Sequence, residues 1–126
     1  MTVASSPGSP RSEDVTLESI TRGVRQLHDV QNWPRRPPEQ RLQFLISEVF
    51  ELWDALVAYR NAEDTKRAVD AERIKAEVGK EIFDILWNLA DLADTLGIDL
   101  ASSAKEKQEE LLKRDWREHG DQTHVW

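Results

Sequence analysis

Beyond residue 14 the chain gives a β-sheet almost nowhere to turn. Glycine remains only at positions 23, 79, 97 and 120, and no Asn-Gly or Asp-Gly pair marks a hairpin. Apolar residues recur instead at helical spacing. Thr16, Glu18 and Ser19 open a first helix on which Leu17, Ile20, Val24 and Leu27 share a face, running to about Val30. The stretch WPRRPPEQ, with prolines at 34, 37 and 38, cannot continue it, because proline lacks the amide donor and clashes with the preceding turn. Pro38 suits the first turn of a second helix, over about 38–60, with Leu42, Leu45, Val49, Leu52, Leu56 and Tyr59 along one stripe. The charged interval NAEDTKRAVDAERIKAE reads as a loop plus the outward-facing start of a third helix. That helix carries Ile74, Val78, Ile82, Ile85, Leu89, Leu92 and Leu96 and ends at Gly97, a left-handed cap. Asp99 or Ser102 can begin a fourth helix, largely solvated and anchored by Leu111, Leu112 and Trp116.

The fold class expected is therefore all-α, an antiparallel four-helix bundle. Its two central helices carry more apolar surface than a monomer of 126 residues needs, so oligomerisation, as a homodimer or homotetramer, is expected to complete it. The expected organisation is a flexible lead over 1–14, a helical domain over 15–119 and a short tail over 120–126. The lead MTVASSPGSPRSED fits neither a secretory signal nor a transit peptide, and no run of ~18 apolar residues offers a membrane span. The absence of cysteine removes disulfides, thiol nucleophiles and thiolate metal sites, and together these features point to the cytoplasm. A net charge of −7 is the wrong sign for counterion-driven binding to a nucleic-acid polymer.

The acids sit where a solvated face would not put them. In LISEVFELWDALV, Glu48 and Glu51 lie among Leu45, Ile46, Val49, Phe50, Leu52 and Trp53, and in EIFDILWNLADLADTLGI, Glu81 and Asp84 are surrounded in the same way. Residues three apart project from nearly one side of a helix, so each segment presents a carboxylate pair that antiparallel packing could bring together. Four carboxylates in a partly apolar place repel one another and lose hydration, which a divalent cation would offset. Oxygen-only ligands favour Mg²⁺, with Mn²⁺ as a substitute, and Mg²⁺ commonly joins a few carboxylates to substrate phosphates. The same spacing at Asp91 and Asp94, and at Glu106 and Glu109, reads as ordinary solvated helix face.

The segment EVFEL at 48–52, followed about thirty residues on by EIFDIL at 81–86, resembles the E-x-x-E…E-x-x-D signature of the MazG-like all-α nucleoside triphosphate pyrophosphohydrolases, which include dCTP and dUTP pyrophosphatases. The likeness covers roughly residues 15–117. TLESI at 16–20, RQLH at 25–28, Trp33 ahead of Glu48 and GIDL at 97–100 are similar to the dCTP pyrophosphatase branch. The resemblance implies hydrolysis of a nucleoside triphosphate between the α and β phosphates, with Mg²⁺ held by Glu48, Glu51, Glu81 and Asp84. It implies an attacking water whose proton passes to Glu48 or Glu51, the catalytic pair, with the choice between them open. An alignment without gaps puts Lys107 and Arg114 on basic positions of the family, where they could meet the triphosphate. This chain departs at Ser47, where many relatives carry a further glutamate, at Leu111, where dCTP pyrophosphatases carry asparagine, and at Asn88, where they carry tyrosine.

Several residues admit two readings. Trp33 could stack on a nucleobase or anchor the connector against its prolines. His28 could contact substrate or serve the fold. Asn88 continues the Glu81–Asp84 stripe and could face the pocket or bridge two helices. Lys107 and Arg114 could bind phosphate or balance acids on an exposed helix, and Trp53 and Trp87 read as core or interface. The leading expectation is nucleotide-pool housekeeping on a nucleoside triphosphate. The alternatives are hydrolysis of another pyrophosphate-containing nucleotide, of the phosphoribosyl-ATP type, and a non-catalytic helical oligomerisation module whose acids pair with Lys80 or Arg41.

Overall fold

The computed structural model describes residues 14–114, all of whose regular structure is helical. Four helices follow in order: α1 Leu17–Gln31, α2 Pro38–Asp64, α3 Ala68–Thr95 and α4 Leu100–Lys113. Thr16 and Ser19 close a reciprocal capping box at the start of α1, with the Ser19 amide donating to Thr16 Oγ1 at 3.0 Å and the Thr16 amide to Ser19 Oγ at 2.7 Å. The α1 end turns through Asn32 in the left-handed conformation, φ 53°, and the Trp33 amide donates back to the His28 carbonyl at 3.0 Å. Pro38 is the first residue of α2, where its missing amide costs no hydrogen bond. Gly97, at φ 72°, ends α3 and lets Ile98 N–H reach the Ala93 carbonyl at 2.8 Å. Asp99 then caps α4 by accepting from the Ser102 amide.

The structure corrects the sequence expectation in the middle and at the end of the chain. α2 runs a turn beyond residue 60, and the interval 61–77 is helical except at its reversal, residues 65–67, where Lys66 takes φ 56°. Charged residues with good helix propensity carry both helices outward there, over a seam closed by the buried Ala62 and Ala71. Leu112 is no anchor, being 78% exposed. The proposed anchor Trp116, the tail and nearly all of the lead lie outside the described residues.

The small core forms where α1 crosses α3. Ile20, Val24 and Ala90 are buried, with Leu86, Trp87 and Leu100 packed against them. A Cβ on Gly23 would stand 3.2 Å from the Trp87 ring, so the close approach of α1 to α3 depends on that glycine. α4 packs on α1 and α3, and among the described residues neither α1 nor α4 packs on α2.

α2 and α3 form a long antiparallel hairpin whose seam is legible from burial. Arg41, Leu45, Glu48, Leu52, Ala55 and Tyr59 are buried or half-buried at alternating spacings of four and three, and so are Ala71, Ile74, Val78, Glu81, Ile85 and Asn88. Arg41 meets Asn88, and two turns on along α2 and two turns back along α3 Glu48 meets Glu81, which fixes the register. In an antiparallel pair, residues one place after each seam position fall on one flank of both helices, and residues one place before fall on the other. The first flank carries Leu42, Ile46, Val49, Trp53 and Leu56 with Ile82 and Leu89, all exposed, and the half-buried Leu86, and turns polar toward the reversal with Arg60, Glu72 and Lys75. The second is Gln40, Phe44, Ser47, Glu51 and Asp54 with Glu77, Lys80 and Asp84, also exposed and mostly polar. No described helix is long and apolar enough to cross a membrane.

Candidate metal and ligand site

Glu48 and Glu81 occupy seam positions that packing alone would give to apolar residues. Together with Glu51 they can each present one carboxylate oxygen within 4.8 Å of the others. Asp84 stands outside this trio, exposed, although its charge still bears on Glu48. The Glu48 carboxyl is pushed up to about 6, first by lost hydration, then by the charge of Glu51 and a hydrogen bond to it, and then by Asp84 and Glu81. Glu81 Oε2 is buried with no hydrogen-bond partner among the described residues. A buried carboxylate oxygen without a donor is costly, and nearby protein cations do not relieve it. Arg41 is turned to Asn88 and Asp91, and Lys80 reaches Glu77 on its own helix. The donor set is all oxygen, and it fits Mg²⁺ or Mn²⁺.

A cleft of about 540 Å³ opens where the connector between α1 and α2 lies against the start of α2. His28, Trp33, Arg35, Arg36, Gln40, Arg41 and Phe44 line it, together with Pro34 and Pro37. Trp33 is 53% exposed, its backbone fixed by the left-handed turn at Asn32 and by the prolines that follow. Gln40, Phe44, Ser47 and Glu51 recur at spacings of four, three and four, so one ridge of α2 leads from this cleft to the carboxylates.

The back of the cleft is an ion network on α3. Asp91, 3% exposed, receives His28 Nε2–H at 2.7 Å and lies 3.3 Å from Arg41 Nη2 and 3.4 Å from Arg35 Nη1. Asp94 takes Arg35 Nη2 and Arg25 Nη2, each at 2.7 Å. The hydrogen bond from Arg25, reinforced by the charges of Arg25 and Arg35, holds the Asp94 carboxyl below its ordinary range against the opposing effect of burial. The reading of Asp91 and Asp94 as solvated helix face is therefore overturned: Asp91 is among the most buried residues described. Spacing along one helix could not reveal this, because the side chains that bury it come from α1, the connector and α2.

The other residues singled out from sequence fall in different places. His28 forms part of the cleft wall, with Nδ1 facing the Trp33 carbonyl at 3.2 Å and Nε2–H committed to Asp91. Asn88 is buried and bridges helices, accepting from Arg41 at 3.0 Å and donating to the Asp84 carbonyl at 2.8 Å. Lys107 pairs with Glu110 on α4, and neither it nor Arg114 is among the residues lining the cleft. Trp87 packs on the core, whereas Trp53 is 66% exposed. The cations that do line the cleft, Arg35, Arg36 and Arg41, were hidden in a proline-rich connector and a helix start.

No family model matches the sequence, and no solved structure matches it. The chain is 34% identical over 101 residues, which span 78% of it and 94% of the relative, to a Bacillus subtilis (strain 168) protein described as the uncharacterized protein YvdC. At that identity and coverage, the chain belongs to the same protein family as YvdC.

Proposed function

We propose that the chain is a Mg²⁺-dependent, MazG-like pyrophosphohydrolase that converts a nucleoside triphosphate to its monophosphate and pyrophosphate. The observation that carries this reading is the convergence of Glu48, Glu51 and Glu81, with Glu81 Oε2 buried and without a hydrogen-bond donor among the described residues. Glu48, Glu51 and Glu81 would hold Mg²⁺, with Asp84 adding charge at the edge. The ion supplies charge neutralisation on the phosphate oxygens and a lowered pKa for water. Glu48 or Glu51 would take the proton of the attacking water. The water oxygen bonds to the α-phosphorus, the bond from that phosphorus to the bridging oxygen breaks, and pyrophosphate leaves with the electron pair. Trp33 and Phe44 offer faces for a nucleobase, and Arg36 a guanidinium, in a cleft that shares a ridge with the carboxylates.

The non-catalytic reading asked Lys80 or Arg41 to neutralise the acids, and both are engaged elsewhere. Pyrophosphate release from a panel of ribo- and deoxynucleoside triphosphates and phosphoribosyl-ATP, with Mg²⁺, tests the proposal. Turnover of a triphosphate supports it, turnover of phosphoribosyl-ATP alone replaces the substrate, and no release from any of them overturns it.

The same reading includes a second copy of the chain. The exposed apolar flank of α2 and α3 repeats at the four-three spacing of helix-to-helix seams, and α1 and α4 leave α2 uncovered. Its apolar surface is on the order of several hundred Å², comparable with one side of a standard protein interface. This flank is turned away from the carboxylate flank, so pairing through it would leave the cleft open. A homo-oligomeric nucleotide hydrolase of this kind would serve the cytoplasmic nucleotide pool.

A further inference from the structure

We propose that Asp91 is a positioning residue that latches the connector, and with it Trp33, to the hairpin carrying the carboxylates. The inference rests on the reading of the cleft as the seat of the nucleoside. The connector is short and proline-rich, and its residues 32–37 are all exposed, so it has no core of its own to hold it. What ties it down is polar. The Trp33 amide donates to the His28 carbonyl at 3.0 Å, His28 Nδ1 lies 3.2 Å from the Trp33 carbonyl, which it binds when the ring is doubly protonated, and Nε2–H of the same ring is bound to Asp91. Arg35, two residues beyond Trp33, divides its guanidinium between Asp91 at 3.4 Å and Asp94 at 2.7 Å. Trp33 is thus bracketed on both sides by groups that converge on α3, one through its own carbonyl and one through its neighbour.

The other side of Asp91 faces α2. Arg41 Nη2 lies 3.3 Å from Asp91 Oδ2, while Arg41 Nη1 donates to Asn88, whose amide donates to the backbone of Asp84. One buried carboxylate therefore joins three chain segments: the end of α1, the connector, and the first turns of α2 that lead to Glu48. A carboxylate at 3% exposure is tolerable only with such partners, and without it the buried His28 would lose the acceptor of Nε2–H and Arg41 its charge partner. Loss of this charge releases the wall of the cleft and leaves the carboxylate trio in place, because no hydrogen bond or ion pair of Asp91 involves Glu48, Glu51 or Glu81. The substrate's nucleoside end then loses its fixed stacking surface while the reacting end keeps its ligands.

The test uses the full chain labelled with 5-fluorotryptophan, the Trp33 resonance being assigned through Trp33→Phe. In Asp91→Asn and in Arg35→Gln the Trp33 ¹⁹F signal should shift or broaden while the other signals hold. KM for the nucleoside triphosphate should rise about tenfold with kcat within about threefold, and the calorimetric Mn²⁺ affinity should stay within about twofold. Arg35→Lys, which keeps the charge, should recover part of the loss. A folded variant whose Trp33 signal and KM match the wild type overturns the latch, and so does an equal fall in kcat and Mn²⁺ affinity, which would mark general damage. Should Asp91→Asn fail to fold, Arg35→Gln, altered at a partly exposed side chain, decides alone. If the wild-type protein hydrolyses no nucleotide, the hydrolase reading falls, and the Trp33 signal still decides the latch.

Discussion

The two flanks of the α2–α3 hairpin are built on the same pair of helices and differ by two steps of sequence. One place after each seam position the side chains are Leu42, Ile46, Val49, Trp53 and Leu56, and one place before they are Gln40, Phe44, Ser47, Glu51 and Asp54. The first series is apolar over 42–56 and exposed by 46% or more, with Trp53 at 66%. The second is chiefly polar, opens onto the connector cleft, and adjoins Asp84 across the seam. A helix that carried only one of these flanks would be an ordinary amphipathic element. Carrying both around a seam that contains Glu48 and Glu81, the hairpin separates a surface suited to self-association from one suited to ions and anions.

The sharpest way to break this comparison is at the seam acids. Glu81→Gln should abolish Mg²⁺-dependent turnover, by about a hundredfold or more in kcat/KM, while leaving the metal-free protein as stable as wild type or more so. A helix-pairing role for Glu81 would show the opposite pattern, with stability lost and turnover kept. On the other flank, Val49→Asp combined with Trp53→Glu should convert an oligomer to monomer in light scattering, with the helical circular dichroism retained. A wild-type protein that is monomeric at micromolar concentration would refute the second-copy assignment.

The pH response tests the electrostatics of the acidic side. Because the folded protein holds the Glu48 carboxyl at about 6, above its usual 4.5, the folded state binds more protons between those values. Relative to Glu48→Gln, the metal-free protein should gain thermal stability as pH falls from about 6 to 4.5 and lose it as pH rises again. Mg²⁺ competes with the proton, so its affinity should weaken below about pH 6. The effect expected to be smallest lies away from both flanks. Thr16→Ala removes the capping box of α1 and should cost about 1 kcal/mol in denaturant melts, with turnover unchanged.

Much of the framework was readable because short-range rules dominate it. Thr16 and Ser19, Pro38, Gly97 and Asp99 mark helix ends by local chemistry, and each does so in the structure. The seam acids were visible for a similar reason, since a carboxylate inside an apolar run conflicts with its surroundings wherever the helix packs. What stayed hidden depends on partners distant in sequence. Asp91 looks like Glu106 until α1, the connector and α2 bring His28, Arg35 and Arg41 to it. Trp33 could be assigned to the connector from its prolines, but its place in the cleft follows from the left-handed turn at Asn32, which carries no glycine to announce it. Asp84 falls outside the close trio although it stands three residues after Glu81 as Glu51 does after Glu48, and both lie one place before a seam position, so spacing along one helix does not distinguish them.

Calorimetric titration of Mn²⁺ into the metal-free protein and into Glu81→Gln tests the central claim most directly. If the half-buried glutamates share a cation, the wild type will bind Mn²⁺ with release of protons near pH 6, and the variant will bind at least about tenfold more weakly. Equal, negligible heats from both proteins, with and without a nonhydrolysable nucleoside triphosphate, would contradict it.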